Sequence, residues 1–313
     1  MGKTAFLFAG QGAQYIRMGK ELHDNLPICR DTFDEANASL SIDLKEMIFS
    51  GKKEELDLTE NTQPAVVTVS IAAYRALSQY GITADVMAGL SLGEYSALTA
   101  AGVFTLSQVV PLVQKRGRYM QEAVPEGIGK MTAILGLTED KIREVCEEAK
   151  SFGIVEPANF NCPGQIVIGG EIKAVEEAAR LAKERGAMKT IDLPVSAPFH
   201  TSMLRPAANQ LKKVMEPIEL GDLQTPVICN VNADYISNTD TVKDLLYQQV
   251  MSSVLFEQSI RRMIDNGIST FIEIGPGKTL STFVRKVDRS LNVFHVEDLA
   301  SLEKTAQALN EIQ

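Results

Sequence analysis

The stretch from Ala84 to Ala101, ADVMAGLSLGEYSALTAA, constrains the fold of this chain more than any other. A short apolar run (Val86, Met87, Ala88) enters Gly89-Leu90-Ser91-Leu92-Gly93 and continues, without proline, into good helix formers. A strand, a tight turn and a helix with serine at the corner form a nucleophile elbow. Glycines bracket the corner because side chains there would collide where strand and helix cross. The Ser91 hydroxyl is held out of the turn, near the positive end of the following helix. The pentapeptide alone recurs by chance, so the inference rests on its apolar and helical flanks.

A serine hydroxyl is a poor nucleophile without a base to take its proton. The chain has three histidines, His23, His200 and His295. His23 lies in a polar helical run, ELHDN, and is expected on the solvated surface. His295 lies in an alternating strand and reads as a half-buried structural residue. His200 follows the stiff Pro198-Phe199 pair and precedes a helix, which makes it the best candidate for the base. A third, acidic member is harder to find. Asp140, Glu156 and Asp192 lie between Ser91 and His200, but most such carboxylates fall in a segment that reads as an insertion. None sits on a loop after a strand of the main sheet, and there is no HGGG-type oxyanion loop. An ordinary esterase is therefore disfavoured. Gly10-Gln11-Gly12, at the end of the first strand, is either a plain glycine turn or a loop whose N–H groups face a ligand.

Composition narrows the function classes. Of 313 residues 45% are hydrophobic and 23% charged, enough apolar mass for a sizeable core. The net charge of -9 argues against nucleic acid as partner. No apolar run reaches membrane-spanning length, and TAFLFAG near the N-terminus reads as a first strand. Cys29, Cys146, Cys162 and Cys229 are widely spaced with no CxxC pair, so reduced thiols, no metal site and a cytoplasmic location are expected.

Patterning along the chain gives an α/β protein. Thr4–Ala9 is a strand, and Pro64–Tyr80 a buried helix with its proline in the first turn. The run from Thr105 is a helix capped by that threonine, with Pro111 inside. Lys115, Arg116 and Arg118 beside Gly117 read as a solvated face. From Lys130 the pattern changes to MTAILGL, TEDKIREVCEEAK (capped by Thr138), IVEPANF, QIVIGG, EIKAVEEAARLAKERG and MKTIDLP. That is βαββαβ, the ferredoxin-like order. Beyond it come a helix after His200, a strand at PVICNVN, two helices, the strand STFIEIGPG, a helix, the strand NVFHVED and a closing helix. The expectation is a hydrolase-like, mainly parallel sheet covered by helices, formed by residues 1–128 and 196–313. A ferredoxin-like small domain at 129–195 interrupts it.

Six ordered blocks carry a family resemblance: FAGQGAQ (Phe8 to Gln14), GLSLGEYSAL (Gly89 to Leu98), QKRGRYMQ (Gln114 to Gln121), NFNCPGQIVIGG (Asn159 to Gly170), VSAPFHTSML (Val195 to Leu204) and EIGPGKTL (Glu273 to Leu280). Over essentially its whole length the chain resembles the malonyl-CoA:acyl carrier protein transacylases. The resemblance implies Ser91 as the residue that carries malonyl and His200 as base and then acid. It implies an oxyanion hole from the N–H groups of Gln11 and Leu92, and Arg116 as clamp for the malonyl carboxylate. It also implies that a main-chain carbonyl orients His200, which QQVMSSV places at Gln249. The substrates would be malonyl-CoA and the phosphopantetheine of acyl carrier protein, with no cofactor, no membrane and a monomeric enzyme of fatty acid synthesis. Leu90 departs from the family, which has histidine before the nucleophile. A bulky residue at Phe199 resembles the malonyl-selective pattern. An acidic carrier would need a local basic patch, for which Lys115, Arg118, Arg205, Arg261, Arg262, Lys278, Arg285 and Lys286 are candidates. The alternatives are an acyltransferase loading a polyketide synthase, a thioesterase or esterase, and a non-catalytic carrier-binding subunit.

Overall fold

The computed structural model describes residues 2–195 and 197–312, the last three by backbone alone. Ser196, where the second expected boundary falls, and the terminal Met1 and Gln313 lie outside the described residues. The strands are β1 (Lys3–Phe8), β2 (Val86–Gly89), β3 (Gly129–Leu135), β4 (Val155–Cys162), β5 (Gln165–Glu171), β6 (Lys189–Asp192), β7 (Val254–Leu255), β8 (Ile268–Ile274) and β9 (Asn292–Val296).

One sheet has the order β2-β1-β8-β9, with every pair parallel. The AFLF of β1 and the VMAG of β2 are continuous apolar runs because both their faces are buried. In β1, Phe6 and Phe8 enter the cluster shared with the Thr59–Ser78 and Leu106–Glu122 helices. Ala5 and Leu7 point the other way, into a cluster with Phe256 and Phe283. This is the expected mainly parallel sheet between helices.

The second sheet has the order β6-β3-β5-β4-β7. β3 pairs antiparallel with β5 and β6, and β4 with β5, in a strand-helix-strand-strand-helix-strand order. The helices Glu139–Ala149 and Ile172–Glu184 supply Ile142, Val145, Val175 and Ala178 to a separate core against Ile166 and Ile168. The sheet does not end with the expected segment. Asn159 and Phe160 of β4 pair in parallel with Val254 and Leu255, so a strand from the C-terminal part of the chain extends it.

Local expectations are corrected at several points. The long helix begins at Thr59, so Pro64 is inside it and not in its first turn. A proline this near the start forfeits one i→i−4 bond, to Glu60, a residue only half-buried. PVICNVN is not a strand. It makes two isolated bridges, Met87 with Val227 and Ile228 with Tyr235, and then curls back through Ala233 at φ 53°. Thr105 does form a full capping box with Gln108, whereas the Thr138 side chain makes no cap bond. His23 is not solvated: its side chain is 18% exposed and lies edge-on to Phe33 and Phe49, at 5.5 and 5.0 Å. Among the described residues no helix is long and apolar enough to cross a membrane.

The elbow depends on its glycines. A Cβ on Gly89 would lie 1.9 Å from the Gly93 carbonyl carbon, and one on Gly93 would lie 2.1 Å from the Phe8 carbonyl oxygen. Both obstacles are backbone and cannot swing aside. Gly93→Ala is expected to lose about 3 kcal/mol or more in urea denaturation. A loss below about 1 kcal/mol would show that strand and helix do not cross this tightly.

Candidate active site

The site lies beyond the carboxyl ends of the adjacent parallel strands β1 and β2. Ser91 occupies the N-cap position of the Leu92–Ala100 helix at φ 54°, ψ −100°, outside the ordinary regions for a residue with a side chain. Asn230 over-determines this corner. Its Oδ1 accepts from the Ser91 N–H at 2.7 Å and its Nδ2 donates to the Gly89 carbonyl at 2.8 Å. The curled segment that fails as a strand is what delivers Asn230 there.

His200 is also left-handed, at φ 61°, and is 4% exposed. Its Nε2 lies 2.6 Å from Ser91 Oγ, and its Nδ1 is 2.8 Å from the main-chain carbonyl of Gln249. A carbonyl only accepts, so Nδ1 carries the proton and Nε2 is free to take one from Ser91. Burial, aided by the nearby Arg116 cation, pushes the imidazole down to about 3. His200 is therefore neutral at ordinary pH. The three carboxylates weighed from sequence do not orient it. Glu156 instead accepts from Ser202 N and Oγ, each at 2.7 Å, and pins the loop just after His200. Asp192 pairs with Lys130 and Thr132, and Asp140 lies in the first turn of the Glu139–Ala149 helix.

Arg116 corrects the expectation of a solvated face: it is 1% exposed. One terminal nitrogen donates to Gln63 Oε1 at 2.9 Å. The other donates to Ser91 Oγ at 3.1 Å and Gln249 Oε1 at 3.0 Å. The guanidinium also lies 5.1 Å from the centre of the Tyr95 ring. All these partners are neutral, and no carboxylate among the described residues forms an ion pair with it. A buried cation without a counter-ion in contact is costly and marks a place for an anion.

Gln11 and Leu92 each lie three residues beyond the register pair Phe8 and Gly89, so their segments leave the sheet from adjacent strands. Neither amide donates to another described residue. Both loops border a cleft of about 520 Å³, lined further by Met120, Met131, Val167, Val195 and Phe199. That volume suits a small acyl group with part of its carrier arm. Leu90 also lines the cleft and packs on the second core cluster. The cleft wall thus has an apolar branched chain there. His295 is distant in the fold, on the edge strand β9. All four cysteines are free and buried.

Sequence and resemblance name Ser91, His200, Arg116, Gln11, Leu92 and Gln249; hydrogen bonds link Ser91, His200, Arg116 and Gln249, Gln11 lines the same cleft, and Leu92 follows Ser91 at the helix start. Both miss Gln63, Glu94 and Asn230. All three are buried: Gln63 is 1% exposed, Glu94 and Asn230 fully so. Glu94 and Asn230 interrupt apolar stretches, which is a signal in the sequence, whereas Gln63 follows the polar Glu60-Asn61-Thr62 and gives none.

Comparison with known proteins agrees with this geometry. A family model described as "Acyl transferase domain" matches residues 5–310. The chain is 48% identical over 312 residues to the malonyl CoA-acyl carrier protein transacylase of Bacillus subtilis (strain 168), covering 99% of this chain and 98% of that protein. It is similar to the crystal structure of the malonyl CoA-acyl carrier protein transacylase from Clostridium perfringens, with a TM-score of 0.96 and 47% identity over 99% of this chain and 98% of that one. A malonyl-transacylase solved in complex with a type II PKS acyl-carrier protein gives a TM-score of 0.95 at 39% identity, over 98% of this chain and 99% of that one. With one family model and several relatives matching almost from end to end, the chain belongs to the acyl transferase domain family, among the malonyl CoA-acyl carrier protein transacylases.

Proposed function

We propose that this protein moves the malonyl group of malonyl-CoA to the phosphopantetheine thiol of an acyl carrier protein, by way of an ester on Ser91. The observation that carries the reading is Arg116: a buried guanidinium, paired only with neutral groups, within 3.1 Å of the nucleophile. An acyl group that carries its own carboxylate would supply the missing anion in a two-pronged pair.

The chemistry follows from the hydrogen bonds. Ser91 Oγ attacks the thioester carbonyl while its proton passes to His200 Nε2. The oxyanion is held by the amides of Gln11 and Leu92, the latter at the start of a helix. The intermediate collapses, and CoA leaves as a thiol with the proton from His200. The carrier thiol then gives its proton to His200 and attacks the ester, and Ser91 recovers its proton. CoA and phosphopantetheine are substrates, so these steps use no cofactor. Gln249 serves His200 through its main-chain carbonyl and Arg116 through its side chain. Phe199, on the cleft wall, supports selection against an α-methyl branch. Within the fold, residues 129–195 act as an inserted small domain closing one side of the cleft, and 1–128 with 196–313 act as the catalytic domain.

The carrier is read as that of fatty acid synthesis. A polyketide carrier is a second reading, favoured by the relative solved with a type II PKS carrier; comparing transfer rates to the two carriers separates them. Of the cations weighed for docking, Arg118, Arg261, Arg262 and Lys278 already pair with Glu60, Glu257, Asp234 and Glu297. That favours Lys115, Arg205, Arg285 and Lys286 for a carrier surface.

Arg116→Ala is expected to slow malonyl transfer at least about a hundredfold and acetyl transfer less than about tenfold. Equal losses in parallel assays would remove the clamp. The depressed His200 sets a second expectation. An ordinary histidine, with pKa about 6.5, loses its basic form as pH drops from 7 to 5. His200 keeps it, so kcat/KM for acylation by malonyl-CoA does not fall over that range. A decline with a midpoint near 6.5 would contradict the buried, neutral base.

A further inference from the structure

Glu94 is fully buried in the first turn of the elbow helix, yet the transfer steps do not use it. Its Oε2 accepts from Gln249 Nε2 at 2.7 Å and from the Asn230 N–H at 3.0 Å. Its Oε1 has no hydrogen-bond partner. The same Gln249 Nε2 donates to the Ser91 carbonyl at 2.9 Å, and Gln249 Oε1 faces Arg116 at 3.0 Å. One amide thus spans the gap between a buried carboxyl and a buried guanidinium. A carboxylate only accepts, so it fixes which end of that amide faces Arg116.

We propose that Glu94 is a positioning residue that serves as counter-charge to Arg116 through Gln249 until the substrate carboxylate takes that role, whereupon Glu94 takes up a proton from solvent. The proposal rests on Arg116 being the carboxylate clamp.

The surroundings single out Glu94 as the group that titrates. Burial pushes it up to about 7, against hydrogen bonds from Gln249 and Asn230 and the attraction of Arg116. Arg116, on the Leu106–Glu122 helix, is the one charge among the described residues that acts on it. Tyr95, its neighbour on the elbow helix, is pushed by burial up to about 12. Cys229, on the curled segment, is pushed up to about 11, chiefly by burial. Both keep their protons near neutral pH. His200, on the far side of Gln249, stays unprotonated at about 3. The other elements packed on this helix, β1, β2 and the Thr59–Ser78 helix, place no charge on Glu94 among the described residues. Near pH 7 Glu94 is therefore about half ionised. A malonyl carboxylate on Arg116 offsets the cation that favours the ionised form and adds a like charge nearby, so protonation follows.

Proton uptake on binding means that affinity falls as pH rises. The test uses the Ser91→Ala protein, which binds without being acylated, and reads the Kd for malonyl-CoA by calorimetry. Between pH 6 and 8 that Kd is expected to rise about tenfold relative to the Kd for acetyl-CoA, which lacks the carboxylate but shares the CoA phosphates. At pH 7, buffers of different ionisation enthalpy should report about half a proton taken up per malonyl-CoA bound. Adding Glu94→Gln keeps an acceptor for Gln249 and Asn230 and should abolish both effects while malonyl-CoA still binds. Should that variant fail to fold, an infrared difference spectrum with isotope-labelled malonyl-CoA reads the proposal on the Ser91→Ala protein: a protonated-carboxyl band of the protein appears with malonyl-CoA and not with acetyl-CoA. A pH dependence that persists in Glu94→Gln, or none at all with malonyl-CoA bound, overturns the role of Glu94 and leaves the clamp standing. If malonyl-CoA has no advantage over acetyl-CoA at any pH, the clamp fails and the proposal falls with it.

Discussion

The hydrogen bond from His200 Nδ1 to the main-chain carbonyl of Gln249 is the contact on which the rest of the site depends. It fixes the tautomer, and so it makes Nε2 a base without an acidic third residue. A carboxylate in that place would stabilise the imidazolium strongly. A neutral carbonyl does so less, and beside a buried guanidinium the ring stays unprotonated. The same residue turns its side-chain amide toward Arg116, Glu94 and the Ser91 carbonyl. Nucleophile, base and clamp are thus held to a common frame by one glutamine near the end of the Val242–Val250 helix.

That frame is assembled from distant parts of the chain. β1 and β2 bring the Gln11 loop and the elbow together by register. The Leu106–Glu122 helix brings Arg116 from one side, and the curled segment around Asn230 ties the elbow from another. The two residues that exchange the proton, Ser91 and His200, both sit at positive φ. Conformations of this kind cost on the order of 1–3 kcal/mol each and persist where the surroundings over-determine them. Here the ties are Asn230 on Ser91 and Glu156 on the loop after His200.

Much of this was legible in the sequence, and the parts that were not have a common cause. The elbow is legible because its constraint is local: glycines where backbone crosses backbone. The βαββαβ order is legible because the hydrophobic period switches between 2 and 3.6 at clear turn residues. Arg116 by itself is not legible as buried, since Lys115-Arg116-Gly117-Arg118 reads as a charged surface, of which only Lys115 and Arg118 are exposed. Its place in the site came from the resemblance of whole blocks. Asn230 was hidden by a β-like run that tertiary contacts curl after two residues. β7 is two residues long and exists through its pairing with β4, which no local signal announces. The Glu94 carboxylate gives no sign of its partners in sequence, because those lie on three other elements.

The central claim is that Ser91 holds the malonyl group between two thiols. Intact-mass analysis after brief mixing with malonyl-CoA tests it most directly. The account predicts a single malonyl adduct that maps to Ser91, is lost on adding the carrier thiol, and is absent in Ser91→Ala. An adduct on another residue, or none while transfer proceeds at its full rate, would contradict it.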